Sequence, residues 1–419
     1  MTTISTGPIV RYAPLGVIAL TLALAYGIWY AYSVVLVALL EEFGWSRSVL
    51  AGAFSVFTLV HGGVNPLIGA LCARFRPLRV MAGGGVAMGL ALLADSFIAS
   101  PLGLYFSFGV LTALAVAGAG WVPALVHVQR EYQHRLGLSI GIISSGVGVG
   151  MVLVVPLAQL LIDAFGWRMA FRVLAAMSVL WIVPASLWLM QNRGQSPIKQ
   201  NQEKPGSDPK RVRPGPITLA EAMRTEPFWL LVAAFFFGNV ASQTLHVHQV
   251  AYLVDHGLSA IVAASVVSVV GLASIFGKTG GGWLSDRVER ELVYVAGIMV
   301  MVASAFVLLA LGATPTRWGA YGYAVLLGVG YSVTASLTPA MVSDRFSGRH
   351  FGAIVGIGLL GAAVGSALGP WIAGRLYDTT GSYTVAFMLA AGCGAISAAA
   401  GWRVRTLRRQ SSRQEGVSR

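Results

Sequence analysis

Twelve apolar runs, each about as long as a bilayer's hydrocarbon core is thick, dominate this chain of 419 residues. The first six lie at roughly 13–40, 48–72, 80–99, 102–127, 137–162 and 170–190. The second six lie at roughly 228–254, 260–284, 292–313, 318–342, 352–374 and 383–402. About 20 such residues span a membrane as a helix. Lipid offers the backbone no hydrogen-bond partners, so each run must satisfy its own N–H and C=O groups. The fold class expected is therefore an all-α membrane protein with twelve transmembrane helices. Charged residues make up only 11% of the chain, against about 25% in soluble domains, which excludes an ordinary soluble enzyme. A short polar lead, 1–12, runs straight into a full-length span, so no cleavable signal peptide is expected. Cys72 and Cys393 give neither a disulfide framework nor a metal-ligand spacing.

Charge sets the orientation. With both termini placed inside, 23 of the 29 Lys and Arg fall in inside loops and tails, five fall outside, and Lys278 alone falls within a span. Cytoplasmic loops carry that excess, so both termini and the 191–226 segment are expected in the cytoplasm. The net charge of +13 is then a topology signal facing lipid, with no nucleic-acid partner implied. The expected organisation is a six-helix half over 1–190, a flexible cytoplasmic linker over 191–226, a second half over 227–403 and a basic tail over 404–419.

The halves repeat one another. Gly141, Gly146, Gly150, Asp163 and Gly166 recur 215 residues later as Gly356, Gly361, Gly365, Asp378 and Gly381. The loop Gly69 to Arg74 recurs at an offset of 213 as Gly282 to Arg287. Two pseudo-symmetric six-helix halves related about the membrane normal are a transporter architecture. The glycines are expected to let helix backbones approach closely where the two halves gate against each other.

These features resemble the major facilitator superfamily. Its loop motif G-x-x-x-D-R is intact at Gly282, Asp286 and Arg287, whereas Ala73 replaces the Asp in the first half. Further patches resemble the monocarboxylate transporter and oxalate–formate antiporter branch. They are Tyr26-Gly-Ile-Trp29-Tyr30, Glu42-Phe-Gly-Trp-Ser-Arg47, Tyr132 through Gly141, Phe165-Gly-Trp-Arg168 and His248-Gln-Val-Ala-Tyr252. The resemblance implies the major facilitator fold and a carrier of small carboxylates.

Lys278 is the leading site candidate. The chain has 25 Arg and four Lys; three of the Lys sit in the linker, and the fourth sits inside an apolar span. A buried charge there costs roughly 2.5 kcal/mol or more, so its retention points to function. Unlike Arg, a buried amine can release its proton, which can link anion and proton binding at one residue. Lys278 lies eight residues before Asp286, about 12 Å along a helix. The resemblance implies a carboxylate-binding Arg at this place in span eight, and Lys278 stands there instead. Relatives also carry an Asp one turn earlier, where this chain has Ser274.

His246 and His248 point about 200° apart on one helix, so only one can face a substrate. The resemblance favours His248. His248 and His61 join Lys278 as proton-coupling candidates. The repeat places Asn65 opposite Lys278, as a possible hydrogen-bond donor to substrate. Tyr26, Trp29, Tyr30, Trp121 and Tyr331 are candidates to line the cavity, covering an apolar tail while donating to a carboxylate. Asp95 reads as an interfacial structural residue. Gly271 through Thr279 imitates a phosphate loop with one residue too many, inside an apolar helix, so no nucleotide role follows. The resemblance implies a second cation in span eleven for an oxalate carrier; residues 351–374 contain no charge, which argues for a monoanion.

The expected function is a secondary transporter of lactate- or pyruvate-like monocarboxylates by alternating access, with proton coupling expected. A carboxylate antiporter or a multidrug or metabolite exporter of the same fold is the alternative. The expected partners are a small carboxylate anion, protons and the lipid bilayer. No cofactor, metal or enzymatic activity is expected. An Arg-, Ala- and Gly-rich composition suggests a GC-rich genome, hence a bacterial inner membrane.

Overall fold

The computed structural model describes residues 8–132, 136–191, 219–346 and 351–417. Most of the linker, residues 133–135 of the Tyr132–Gly141 patch, and Arg349 lie outside them. Among the described residues there is no strand.

The first half comprises α1 (Pro8–Phe43), α2 (Arg47–Arg74), α3 (Pro77–Asp95), α4 (Pro101–Glu131), α5 (Leu136–Phe165) and α6 (Trp167–Gln191). A short turn of helix, Leu219–Met223, precedes the second half. That half comprises α7 (Glu226–Asp255), α8 (Ala260–Ser285), α9 (Arg290–Leu311), α10 (Arg317–Arg345), α11 (Phe351–Thr380) and α12 (Thr384–Val417). They match the twelve apolar runs one for one. α4 is irregular: it is π-helical over Tyr105–Thr112 and breaks at Gly120 before resuming at Trp121. α12 continues through the basic segment as helix to Val417.

Packing obeys the repeat. α1 lies along α5 and α3 along α6; the counterparts α7 with α11 and α9 with α12 do the same. The halves meet where α2 packs on α11 and, by the same pseudo-two-fold, α8 packs on α5. Positive-φ glycines end four symmetry-related helices: Gly44 after α1, Gly257 after α7, Gly166 after α5 and Gly381 after α11. Only glycine adopts that left-handed conformation without steric cost.

The repeated glycines work within each half, not between halves as expected. A methyl on Gly146 or Gly150 would strike the carbonyls of Ala19 and Ala23 on α1. One on Gly365 would strike Phe236 on α7, and one on Gly361 would touch Val232. The inter-half crossing uses a different pair, Gly148 and Gly271. A Cβ on Gly148 would lie 2.7 Å from the Gly271 carbonyl oxygen, and the converse distance is also 2.7 Å.

Candidate functional site

The face where α1 and α7 end is here called distal, and the face where α2 and α8 end proximal. Contacts between the halves concentrate distally. Ser55 donates to the Ala367 carbonyl at 2.5 Å, and a Cβ on Gly374 would sit 2.7 Å from the Arg47 carbonyl. Proximally, Asp286 and Arg287 of the gating motif are exposed, and the Arg287 guanidinium stacks on Trp283 at 3.6 Å from the ring centroid. Positions 279 and 280, beside Lys278, are exposed too. These bonds hold the two halves together distally, while the Lys278 end of α8 and the loop after it are exposed proximally.

Three elements of the first half furnish one wall of that centre. On α1, Tyr26 and Trp29 stack at 5.8 Å, and Tyr30 lies 6.4 Å from Trp29. His61 of α2 meets Trp29 edge-on at 4.8 Å and Tyr26 at 6.3 Å. Asn65 follows His61 by one turn and is half-buried on the same face. The Tyr26 hydroxyl reaches the Trp121 backbone, where the break at Gly120 leaves α4 room for the ring.

The second half furnishes the opposite wall. His246 of α7 stacks edge-on with Tyr331 of α10 at 4.5 Å and lies 5.4 Å from Tyr30 across the interface. Tyr331 is in hydrogen-bonding contact with Tyr30 and with Ser274 of α8, and its hydroxyl reaches the Met151 sulfur at 3.7 Å. One turn beyond Ser274, Lys278 is half-buried and within electrostatic range of His246. Lys278 forms no salt bridge or hydrogen bond among the described residues. Gly277 beside it admits close packing on Val329 and Ser332 of α10, which fixes the register of that turn.

Buried, unpartnered polar atoms gather on these walls: Trp29 Nε1, His61 Nε2 and His246 Nε2. Buried polar atoms are nearly always satisfied, so each such group calls for an explanation. His246 Nδ1 donates to the Ser242 carbonyl at 2.7 Å, so its Nε2 is an acceptor until it takes a proton. The Lys278 ammonium and the unused Trp29 indole N–H are the groups suited to an anion carrying several acceptor oxygens. No cluster of metal-ligating side chains occurs among the described residues.

The structure does not bring His248 into this centre. Its ring lies distally and is fully buried, with Nδ1 2.9 Å from the Tyr383 hydroxyl and Nε2 2.9 Å from the Pro370 carbonyl. Neither nitrogen is free for a substrate. The histidine at the centre is His246, and the sequence held a signal for it. Asn239, Gln243 and His246, at i, i+4 and i+7, make a polar stripe along one face of α7, whereas His248, Tyr252 and Asp255 share the face that ends in a charge.

Asp95 is wholly buried, accepts a hydrogen bond from Thr112 at 2.8 Å, and leaves Oδ1 unpartnered. It sits inside the first half, at the end of α3 and beside the π-helical part of α4.

A twelve-helix bundle in two repeated halves around a polar centre is the architecture of a multi-pass membrane transporter. The chain belongs to the Major Facilitator Superfamily, whose description matches residues 18–334 and, in an overlapping second match, 248–418. Among curated relatives, monocarboxylate transporter 13 of Bos taurus is 28% identical over 88% of this chain and 83% of its own length. Monocarboxylate transporter 4 of Mus musculus is 27% identical over 87% of this chain and 77% of its own. Among solved structures, a bacterial homolog of the human lysosomal transporter Spinster, inward-facing and occupied, superposes with a TM-score of 0.69 at 17% identity. It covers 96% of this chain and 98% of that one, a likeness of fold alone.

Proposed function

We propose that this chain carries small organic monocarboxylates of the lactate or pyruvate type across a bacterial inner membrane, coupled to protons, with both termini in the cytoplasm. The observation that supports this reading most is Lys278. It is a half-buried cation with no salt bridge or hydrogen bond among the described residues, within electrostatic range of His246. The kinship with monocarboxylate transporters supports the same substrate class.

In this reading Lys278 pairs with the carboxylate as a compact point charge. Tyr331, Tyr30 and Ser274 orient its oxygens. His246 takes the orienting role that the sequence offered to His248. Trp29, Tyr26 and Trp121 pack on the small apolar body, with His61 and Asn65 closing the far side. Charge neutralisation at Lys278 by the substrate and a co-transported proton lowers the cost of crossing the low-dielectric barrier. Access alternates as one half rocks on the other: the α2–α11 contacts part distally, the α5–α8 crossing acts as the pivot, and the Gly282–Arg287 loop closes proximally.

Uptake of labelled lactate and pyruvate into proteoliposomes under imposed pH gradients tests this. Uptake driven by an inward proton gradient and lost at least a hundredfold in Lys278→Ala is expected. Flux indifferent to Lys278→Ala, or no carboxylate flux at all, refutes the reading in favour of an exporter of the same fold.

A further inference from the structure

His248 and its surroundings form a unit that the carrier reading leaves unused. The distal ends of α2, α7, α11 and α12 converge on Arg47. Its guanidinium donates to the Tyr383 hydroxyl at 2.7 Å and pairs with Asp255 at 2.8 Å. It also lies over the Tyr377 ring at 3.9 Å. Its backbone N–H, with that of Ser48, donates to the Asp378 carboxylate, each at 2.9 Å. Arg47 belongs to the first half and all these partners to the second, so every bond here holds the distal gate shut. His248 stands directly behind Tyr383.

The hydrogen-bond directions in this relay follow from chemistry. The Pro370 carbonyl only accepts, so His248 Nε2 carries a proton. Arg47 only donates, so the Tyr383 oxygen accepts from it. The Tyr383 O–H is then left to donate to His248 Nδ1, which must be the bare nitrogen. The closed gate thus fixes one neutral tautomer of His248.

We infer that His248 is a proton-sensitive latch of the distal gate: the shut gate holds it neutral, and protonation at Nδ1 releases the gate. A proton on Nδ1 turns a hydrogen bond into a donor–donor clash. Tyr383 would then have to accept from Arg47 and His248 together, with its own O–H turned away from both and its bond to Nδ1 lost. Two cations would converge on one phenol oxygen. The carboxylates nearby do not relieve this, since Asp255 is engaged by Arg47 and Asp378 by the α2 backbone. The other groups packed on the relay include the Tyr377, Tyr252 and Phe387 rings, with His256 tilted against Tyr252 at 4.1 Å; none supplies a negative charge.

Closure and protonation therefore exclude one another. With one proton linked to opening, the open-to-closed ratio rises as pH falls, by up to about tenfold per unit below the range where a free imidazole titrates. The latch is separate from the central site, so it does not depend on which substrate the centre takes.

Spin labels at Leu102 and Trp318, both highly exposed at the distal starts of α4 and α10, read the gate without transport. Cys72 and Cys393, free and buried, are replaced by alanine. Double electron–electron resonance distances in lipid nanodiscs are compared at pH 8 and pH 5. Expected is a longer-distance population that grows at least several-fold at pH 5. It should vanish in His248→Gln, whose amide reproduces both bonds of the neutral ring and takes no proton. His256→Gln should keep the growth. An unchanged wild-type distribution, growth that persists in His248→Gln, or growth lost in His256→Gln each overturns the inference. Should His248→Gln fail to insert, the wild type and His256→Gln still decide it.

Discussion

Removing the Asp378 side chain should open the distal gate by a calculable amount. Its two carboxylate oxygens accept the Arg47 and Ser48 N–H groups at 2.9 Å each. These are orphan donors at the start of α2, and the cap comes from the other half of the molecule. A hydrogen bond in a protein nets about 1 kcal/mol, more when the acceptor is charged. Asp378 is exposed, so screening argues for the low figure. Two bonds then contribute about 2 kcal/mol to closure, and Asp378→Ala should raise the open population about thirtyfold. Asp378→Asn keeps one acceptor oxygen and should give about fivefold. Thr58 lies on the α2 face between Ser55 and Gly62, both of which contact α11, and is buried. A cysteine there, in the background lacking Cys72 and Cys393, reports opening through its alkylation rate with an impermeant maleimide added distally. Rates equal to those of the parent in both Asp378 variants would refute the claim that this cap holds the gate.

The α1–α5 crossing should tolerate no side chain. Gly150→Val should cost about 1–3 kcal/mol by overpacking, while Gly141→Ala, with nothing within 4 Å of its Cβ position, should be neutral; melting temperatures in detergent decide it. At the proximal loop, Arg409 and Arg405 hold the Glu289 carboxyl down to about 2. The folded value is depressed, so the clamp on α12 is complete above the ordinary Glu value of about 4.3 and weakens only as pH falls from there toward 2. Hydrogen exchange along residues 403–410 should therefore be several-fold faster in Glu289→Gln at pH 5 and above, with the difference shrinking as pH falls toward 2. Equal protection in the variant would show the clamp to be ornamental.

The spans, their number and their pairing into halves were legible because lipid imposes one rule on every residue of a crossing helix. Lys278 stood out as a candidate for the same reason: a cation in an apolar run contrasts with its neighbours. Rotation about each helix axis was harder to read. In a largely buried span such as α7, apolar residues occur on every face and the amphipathic signal is weak. The polar stripe of Asn239, Gln243 and His246 was the one cue that separated His246 from His248; the rest of their difference lies in what the fold sets beside them. The glycine repeats carried the right message about close approach but not about the partner. Spacing specifies that a backbone comes near and leaves open which one. The interruptions of α4 had no apolar-run signature at all, although Gly120 stands immediately before Trp121.

The duplication also explains why the site and the gate are lopsided. Asp378 caps α2, but its counterpart Asp163 accepts from Gln159 on its own helix at 2.7 Å. Asp255 pairs with Arg47 across the interface, whereas its counterpart Glu42 is held by Trp167 and Arg168 inside its own half. At the position equivalent to Arg47, the start of α8 has Ala260. One interface between the halves thus carries the ionic lock, and the other, α5 on α8, is a crossing of small residues at Gly148 and Gly271. The two demand different things of a moving part. An ionic lock needs partners that can separate into water and recombine, which suits a gate exposed when open. A glycine crossing needs only a smooth backbone, which suits a surface that pivots and stays in contact. Lys278 lies on α8, two turns from the pivot glycine, and His248 lies on α7 behind the lock. Lys278 and His248, the protonatable groups of the centre and of the gate, are therefore carried by neighbouring helices of one half, opposite the aromatic wall and the Arg47 of the other.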